Sequence, residues 1–296
     1  MSSSKVHPVQ IVINDGKTFL NTGISVKYEI EEEAKKTYLY GKKIGEEIEG
    51  GPLGFPGYKF IIRGGSDIAG FPHIKGIPGP QLKQVLKSGP PGYRPRKFRV
   101  EKKTGGYKII NLKGVRVKKT VRGEELSERT RQVNLMIKER TGKTIEEMSD
   151  EEIKSDKILT DIATKLGKVI LKWGLELTKI GEDKTPLGDK LGEAGISDET
   201  LNKIYLELGI QVIKLGENRK KIVEALRKTS KKNPHPLGRY VAWATYQLYK
   251  KASEGNTDQE KLANEFIQTL IDGFKKWLNG EMKKPPKFNF HVKEGE

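Results

Sequence analysis

Short apolar runs separated by glycine-rich turns dominate the first half of the chain. The runs are Gln10–Ile13, Lys59–Ile62, Tyr107–Leu112 and Val133–Ile137. Each is bounded by turn-forming residues, for example Gly64-Gly65 and Gly105-Gly106. Short strands between such turns are typical of small barrels and sandwiches, so the pattern predicts a β-rich, barrel-like unit. We also expect short helices over Glu31–Ile44 and Gln81–Leu86.

Beyond residue 143 the apolar residues follow a helical spacing. Ser149 followed by Glu152 is a capping-box pattern. It opens a run with apolar residues every three or four positions from Ile158 to Ile180, which predicts one long amphipathic helix. After a loop through Pro186 to Gly195, the same spacing predicts further helices over Ser197–Leu215, Arg219–Lys228, Leu237–Ala252 and Thr257–Leu278.

These two patterns predict two domains. Residues 1–143 are expected to form the β-rich, barrel-like domain with short helices. Residues 144–296 are expected to form an all-α bundle of four or five helices that ends in an extended tail. Trp173, Trp243 and Trp277 lie among leucines at helical spacing and are expected in the core of the bundle.

Positive charge is concentrated in one segment of the first domain. The whole chain has 56 Lys and Arg against 39 Asp and Glu, a net charge of +17. From Lys75 to Arg122 there are fifteen basic residues against one acid, Glu101, which leaves +14 in this segment alone. A local surplus of this size indicates a polyanion, usually nucleic acid. A solvated basic surface is the alternative.

The side chains of this segment suit RNA. Arginine can pair two phosphate oxygens, lysine supplies a point charge, and aromatic rings stack on bases. The prolines at 90, 91 and 95 favour an extended backbone. We therefore predict an RNA-binding set of Arg63, Lys87, Tyr93, Arg94, Arg96, Lys97, Phe98, Arg99, Lys102, Lys103, Arg116, Lys118, Lys119 and Arg122. Charge alone does not choose RNA over DNA, but no helix-turn-helix or zinc-finger pattern indicates duplex DNA.

Four motifs in order resemble one protein family. The run Ile62–Pro72 contains Gly-Gly-x-Asp-x-x-Gly-Phe-Pro, and Leu86–Arg96 ends in Tyr-Arg-Pro-Arg. Lys118–Gly123 contains Val-Arg-Gly, and the strand-like Val133–Ile137 follows. Over about residues 5–140 the chain resembles the archaeal and eukaryotic small-subunit ribosomal protein number six, the e-type family. His73 stands where that family has Met.

The resemblance implies a β-rich domain bound to ribosomal RNA beside other small-subunit ribosomal proteins, in the cytoplasm, with no catalysis, cofactor or small-molecule substrate. The family's C-terminal phosphorylation sites are not carried over, because this chain has a different C-terminal region. We expect a structural turn built from Gly64, Gly65, Asp67, Gly70 and Pro72, braced by Asp67 accepting backbone amides. The two glycines would either let the backbone approach a phosphate or serve the turn alone.

Other function classes find little support in the sequence. The chain has no cysteine, so disulfides and thiolate metal ligands are excluded. His7, His73, His235 and His291 are dispersed and are expected to be surface or turn residues, so no metal site is predicted. No Gly-x-Gly-x-x-Gly motif occurs, and no apolar stretch approaches the length of a membrane span. We expect a soluble, intracellular protein.

Two functions remain. The first is a structural component of the small ribosomal subunit that binds ribosomal RNA through basic loops. Its helical domain would then contact RNA or neighbouring proteins. The alternative is an RNA-processing or RNA-modifying factor that uses the same RNA-binding domain, with its activity or partner recruitment in the helical domain.

Overall fold

Strands and short helical segments make up the first part of the computed structural model. The model describes residues 7–95, 97–103, 105–111, 114–180, 185–229, 235–254, 258–282 and 291–292. In chain order, the described strands of this part are β1 (Val9–Asn14), β2 (Ser25–Ile30), β3 (Glu47–Glu49), β4 (Tyr58–Asp67), β5 (Leu82–Lys87), β6 (Lys97–Glu101), β7 (Tyr107–Asn111), β8 (Val117–Arg122) and β9 (Thr130–Arg140). The helix α1 spans Glu33–Leu39.

Five of these strands form a mixed sheet in the order β2-β1-β9-β4-β3. β1 is parallel to β9, and the other neighbours are antiparallel. Ile13 is opposite Leu135, which is opposite Ile62, and all three side chains are fully buried. Alternate residues of a strand point to the same face, so the period-two pattern of these strands builds the core of the sheet.

The sheet is open rather than barrel-like. β2 and β3 are its two edges and do not pair with each other. The four remaining strands form two separate antiparallel ribbons, β5 with β8 and β6 with β7. A mixed sheet with short helices therefore replaces the barrel that the turn spacing predicted.

Two predicted helices differ in the structure. Gln81–Leu86 was predicted helical, but Leu82–Lys87 is strand β5, because six consecutive residues pair with β8. Of the predicted helix Glu31–Ile44, only α1 is helical. It ends because the backbone is extended at Tyr40 and Gly41 has a φ of 81°. The sequence of β5 alone does not distinguish a strand from a short helix, and its pairing with β8 decides for the strand.

Helices dominate the chain after residue 141. In the described residues they are α2 (Asp150–Ser155), α3 (Lys157–Leu177), α4 (Leu187–Glu193), α5 (Asp198–Lys214), α6 (Asn218–Arg227), α7 (Pro236–Ser253) and α8 (Gln259–Leu278). The region is not all-α, because β10 (Lys179–Ile180), β11 (Thr185–Pro186) and β12 (His291–Val292) form a small sheet in the order β11-β10-β12. The helix α4 lies within the predicted loop.

The predicted capping box is confirmed, but it caps a short helix. Ser149 Oγ accepts the amide of Glu152 at 3.1 Å, and the Glu152 carboxylate accepts the amide of Ser149 at 2.8 Å. The helix ends at Ser155, and Asp156 then caps α3 by accepting the amides of Ile158 and Leu159. A second capping residue thus divides what the apolar spacing alone predicts as one helix.

Two glycines allow α3 and α5 to pack closely. A β-carbon on Gly209 would lie 1.9 Å from the carbonyl oxygen of Ala163, and one on Gly167 would lie 2.0 Å from that of Tyr205. Of the predicted core tryptophans, Trp243 and Trp277 are half-buried, and the side chain of Trp173 lies outside the described residues. Leucine, isoleucine and phenylalanine therefore supply most of the buried interior of the described helices.

Contacts divide the chain into two compact units. The first unit is Met1–Phe19 with Ser25–Thr141, and the second is Leu20–Ile24 with Gly142–Glu296. Within the second unit, Arg219 Nε donates to the Leu20 carbonyl at 2.7 Å and Arg227 donates to the Thr22 carbonyl at 2.8 Å. A boundary between independent domains at residues 143 and 144 stays a prediction.

Candidate nucleic-acid interface

The β5–β8 ribbon places three lysines on one face. Cross-strand partners lie on the same side of an antiparallel pair, and alternate residues share a side. Lys83 pairs with Val121, and Val85 pairs with Lys119. Lys87, two positions beyond Val85, therefore shares their side. We call Lys83, Lys87 and Lys119 the lysine face.

An aromatic ring lies beside this face. The Nζ atom of Lys119 is 5.9 Å from the centre of the Tyr93 ring, and Tyr93 is half-buried. Gly92, the residue before Tyr93, has a φ of 91°. It lies close to Val121, since a β-carbon on Gly92 would be 3.3 Å from Cγ1 of Val121. A ring next to ammonium groups can stack on a base while the lysines neutralise phosphates.

The predicted RNA-binding set leaves out Lys83, which lies on the lysine face. Lys83 was counted only in the basic segment. Its register places it on the same side as Lys119, and its Nζ donates to the Pro78 carbonyl at 3.2 Å. Lys83, Val85 and Lys87 occupy alternate positions, and alternate residues share a face only in a strand. This spacing therefore indicates a common face only once the segment is known to be a strand.

Other predicted cations lie elsewhere in the first unit. Lys118 is exposed on the opposite side of the ribbon from Lys119, and Arg116 is exposed just before β8. Arg63 is exposed on β4, and Arg94 is exposed beyond Tyr93. The predicted set therefore does not form a single flat patch.

The β6–β7 ribbon carries the rest of the predicted set. Lys102 and Lys103 are exposed at its turn, where the amide of Lys102 donates to the Gly106 carbonyl at 2.9 Å. Arg96 lies outside the described residues. So do the side chains of Lys97, Phe98 and Arg99, whose backbone forms part of β6.

Arg122 differs from the other predicted cations because it is buried. Its Nε donates to the Asp67 carboxylate at 2.8 Å, and its Nη1 donates to the Pro80 carbonyl at 2.7 Å. The two side chains of this ion pair are 7% and 2% exposed. A guanidinium held in this way serves the fold, so we remove Arg122 from the proposed RNA-binding set.

Asp67 braces a turn after β4, and this turn is not at Gly64-Gly65. The Asp67 carboxylate accepts the amide of Phe71 at 2.7 Å, and Gly70 in this turn has a φ of 85°. β4 instead continues through Gly64 and Gly65, with register shifts on either side of them. A β-carbon on Gly65 would lie 2.4 Å from the Gln132 carbonyl oxygen, so glycine permits close strand packing there.

Pro72 closes the same turn, and His73 after it is a core residue rather than a surface residue. The amide of Arg122 donates to the Pro72 carbonyl at 3.0 Å. His73 is 3% exposed, with Nδ1 2.7 Å from the Gly123 carbonyl and Nε2 3.1 Å from Thr130 Oγ1. A carbonyl only accepts, so Nδ1 carries the proton. Burial lowers the pKa of His73, which favours this neutral form.

The described residues contain neither a metal-binding cluster nor a membrane-spanning helix. No cluster of three or more His, Cys, Asp or Glu side chains there could hold a metal ion. No helix in that part of the chain is both long and apolar enough to cross a membrane.

Comparison with known proteins identifies relatives of the first part of the chain. A family model described as ribosomal protein S6e matches residues 10–150. Small ribosomal subunit protein eS6 of Hyperthermus butylicus is 46% identical over 99 residues, which are 33% of this chain and 39% of that protein. The protein of the same name from Methanocaldococcus jannaschii is 40% identical over 39% of this chain and 77% of its own length. That of Nanoarchaeum equitans is 36% identical over 52% of this chain and 98% of its own length.

Proposed function

Because the chain belongs to the ribosomal protein S6e family, we propose that it is a structural component of the small ribosomal subunit and not an enzyme. The relatives are named as proteins of that subunit. On this proposal the chain works in the cytoplasm as part of the ribosome, and it needs no cofactor. The family relationship favours this role over that of an RNA-processing factor.

Ribosomal RNA is the proposed ligand of the basic segment. The observation that carries this proposal is the lysine face, which places three lysines on one side of the ribbon within a segment of net charge +14. One of them, Lys119, has its Nζ atom 5.9 Å from the centre of the Tyr93 ring. Lysines bind phosphate by releasing counterions, which makes the affinity depend on salt. The exposed Arg63, Arg94, Lys102, Lys103 and Arg116 extend the proposed contacts, whereas Lys118 lies on the other side of the ribbon.

The helical region is proposed to be a surface extension of this ribosomal protein. The match to the family model ends at residue 150, so α3 to α8 lie beyond it. Residues 142–296 contain 28 basic and 25 acidic residues, a net charge of +3. A nearly balanced surface supports contacts with neighbouring proteins as well as with RNA.

Binding of small-subunit rRNA transcripts tests the lysine face. In the full chain, Lys83, Lys87 and Lys119 are replaced together by alanine. Each lost phosphate contact should reduce the slope of log affinity against log salt by about 0.7–0.9, so the slope should fall by about two to three. Replacing Arg94, Arg96 and Arg99 together by alanine tests the segment that follows Tyr93 in the same way, and the salt slope should again fall.

A matched control removes three lysines that are already ion-paired in the first unit. Lys42 pairs with Glu46 at 2.9 Å, Lys59 with Glu139 at 2.6 Å, and Lys138 with Glu47 at 2.7 Å. Replacing these by alanine changes the net charge equally but should leave the salt slope unchanged. Equal slopes for the two triple variants would refute the assignment of the lysine face.

Sedimentation of a cell lysate tests the ribosomal role directly. The chain should travel with the small subunit on a sucrose gradient and remain there after a high-salt wash. A protein that stays at the top of the gradient, or leaves at modest salt, would contradict a structural role in the subunit.

A further inference from the structure

The β5–β8 ribbon has a second face with a different chemistry. Leu82, Gln84 and Leu86 lie on it, opposite Arg122, Thr120 and Lys118 on β8. Leu82 is 43% exposed and Leu86 is 60% exposed. We call Leu82, Gln84, Leu86 and Thr120 the leucine face. These two large apolar side chains lie about 13 Å apart along one strand. They form an exposed apolar surface that apolar side chains of a partner could cover.

The leucine face leads into a pocket of about 620 Å³. Leu82 belongs to both, and the walls include Leu126 and Tyr40. Ser127 also lines the pocket, and its buried hydroxyl makes no hydrogen bond within the described part of the chain.

Two carboxylates make this pocket acidic within a basic segment of the chain. Glu125 and Glu128 line it, and neither forms an ion pair with any described residue. Burial raises the pKa of the nearby Tyr40, and the charge of Glu128 raises it further. Of the two arginines in the lining, Arg122 is already bonded to Asp67, and Arg129 is exposed. Two carboxylates against the one remaining arginine leave the lining with a net charge of −1, which favours a cation over a phosphate.

We propose that the leucine face and the acidic pocket bind an extended segment of a neighbouring protein. The segment places apolar side chains against Leu82 and Leu86, and a lysine or arginine beside Glu125 and Glu128. The inference rests on the proposed ribosomal function, which makes the partner another protein of the small subunit. The ribbon thus separates two ligands, with RNA on the lysine face and protein on the leucine face.

Site-specific photo-cross-linking in assembled small subunits tests this proposal. The full chain carries p-benzoylphenylalanine in place of Leu86, or in place of the adjacent Lys87 on the lysine face. Subunits are purified before irradiation, and cross-linked peptides are identified by mass spectrometry. Position 86 should cross-link to a ribosomal protein, at an apolar residue with a lysine or arginine close by. Position 87 should cross-link to rRNA.

Charge reversal provides the second measurement. The pair Glu125→Lys and Glu128→Lys, added to the position-86 variant, should reduce the protein cross-link about tenfold, equivalent to about 1.4 kcal/mol. It should leave the rRNA cross-link from position 87 unchanged. Glu47→Lys with Glu139→Lys is the matched control, because these acids pair with lysines on the main sheet. The control should leave both cross-links unchanged.

The outcomes separate this inference from the proposed function. A chain that does not enter the small subunit overturns both. A chain that enters it but cross-links to rRNA from position 86, or to nothing, overturns the inference alone. A protein cross-link that is insensitive to the charge reversal also overturns it, because the acidic pocket would then not select the partner.

Discussion

Replacing Arg122 by methionine should strongly destabilise the first unit. The guanidinium donates to Asp67 at 2.8 Å and to the Pro80 carbonyl at 2.7 Å, and both charged side chains are buried. Methionine fills a similar volume but supplies no donor. Asp67 would keep its bond from the amide of Phe71 and lose its counter-charge.

The size of the destabilisation depends on Asp67, which would stay buried without its counter-charge. Breaking a buried ion pair by removing one partner typically costs about 3–5 kcal/mol, because an uncompensated charge remains buried. Domains are stable by only about 5–15 kcal/mol, so this loss takes up a large part of the total. The double variant Asp67→Asn with Arg122→Met removes both charges, and asparagine can still accept from Phe71. Most of the lost stability should therefore return.

Urea denaturation of the full chain, followed by far-ultraviolet circular dichroism, measures both effects. Lys118→Met is the matched control, since Lys118 is exposed on the same strand. Its effect should be within about 0.5 kcal/mol, as for ordinary surface substitutions. The reasoning is refuted if Arg122→Met costs no more than the control, or if the double variant is less stable than Arg122→Met alone.

Three further predictions concern other parts of the chain. Burial lowers the pKa of His73 from its ordinary value of 6.5, so below about pH 6.5 the unfolded chain binds a proton that the folded protein excludes, and stability falls. The urea midpoint of His73→Met should therefore fall less between pH 7 and 5 than that of the parent, and an equal fall would contradict the assignment. Gly209→Ala should cost about 1–3 kcal/mol in thermal unfolding through overpacking against Ala163, whereas Gly192→Ala, with open space around it, should be neutral or stabilising. Ser149→Ala should cost about 1 kcal/mol and speed amide hydrogen exchange in α2, and unchanged exchange there would count against the capping role.

Local sequence patterns determined where many of the strands and helices of this protein lie. Alternating apolar residues marked β1, β4 and β9, because a strand with one buried face needs apolar side chains at every second position. Apolar residues three and four apart marked the long helices for the corresponding reason, and Ser149 and Ser197 marked the beginnings of α2 and α5. The family motifs and the concentration of positive charge between residues 75 and 122 were also present in the sequence alone.

Tertiary structure alone decided which side chains of the basic segment face solvent. The segment Leu82–Lys87 is a strand because β8 pairs with it, and this pairing depends on residues 30 to 40 positions away. The pairing places Lys83 beside Lys119 and assigns Lys118 to the other face. Arg122 has the same charge as its neighbours on β8, yet it is buried because Asp67, 55 residues earlier, lies within hydrogen-bonding distance. Charge and period are local properties, whereas burial and pairing depend on contacts between distant residues, so the tertiary structure was needed to separate the exposed cations from the buried Arg122.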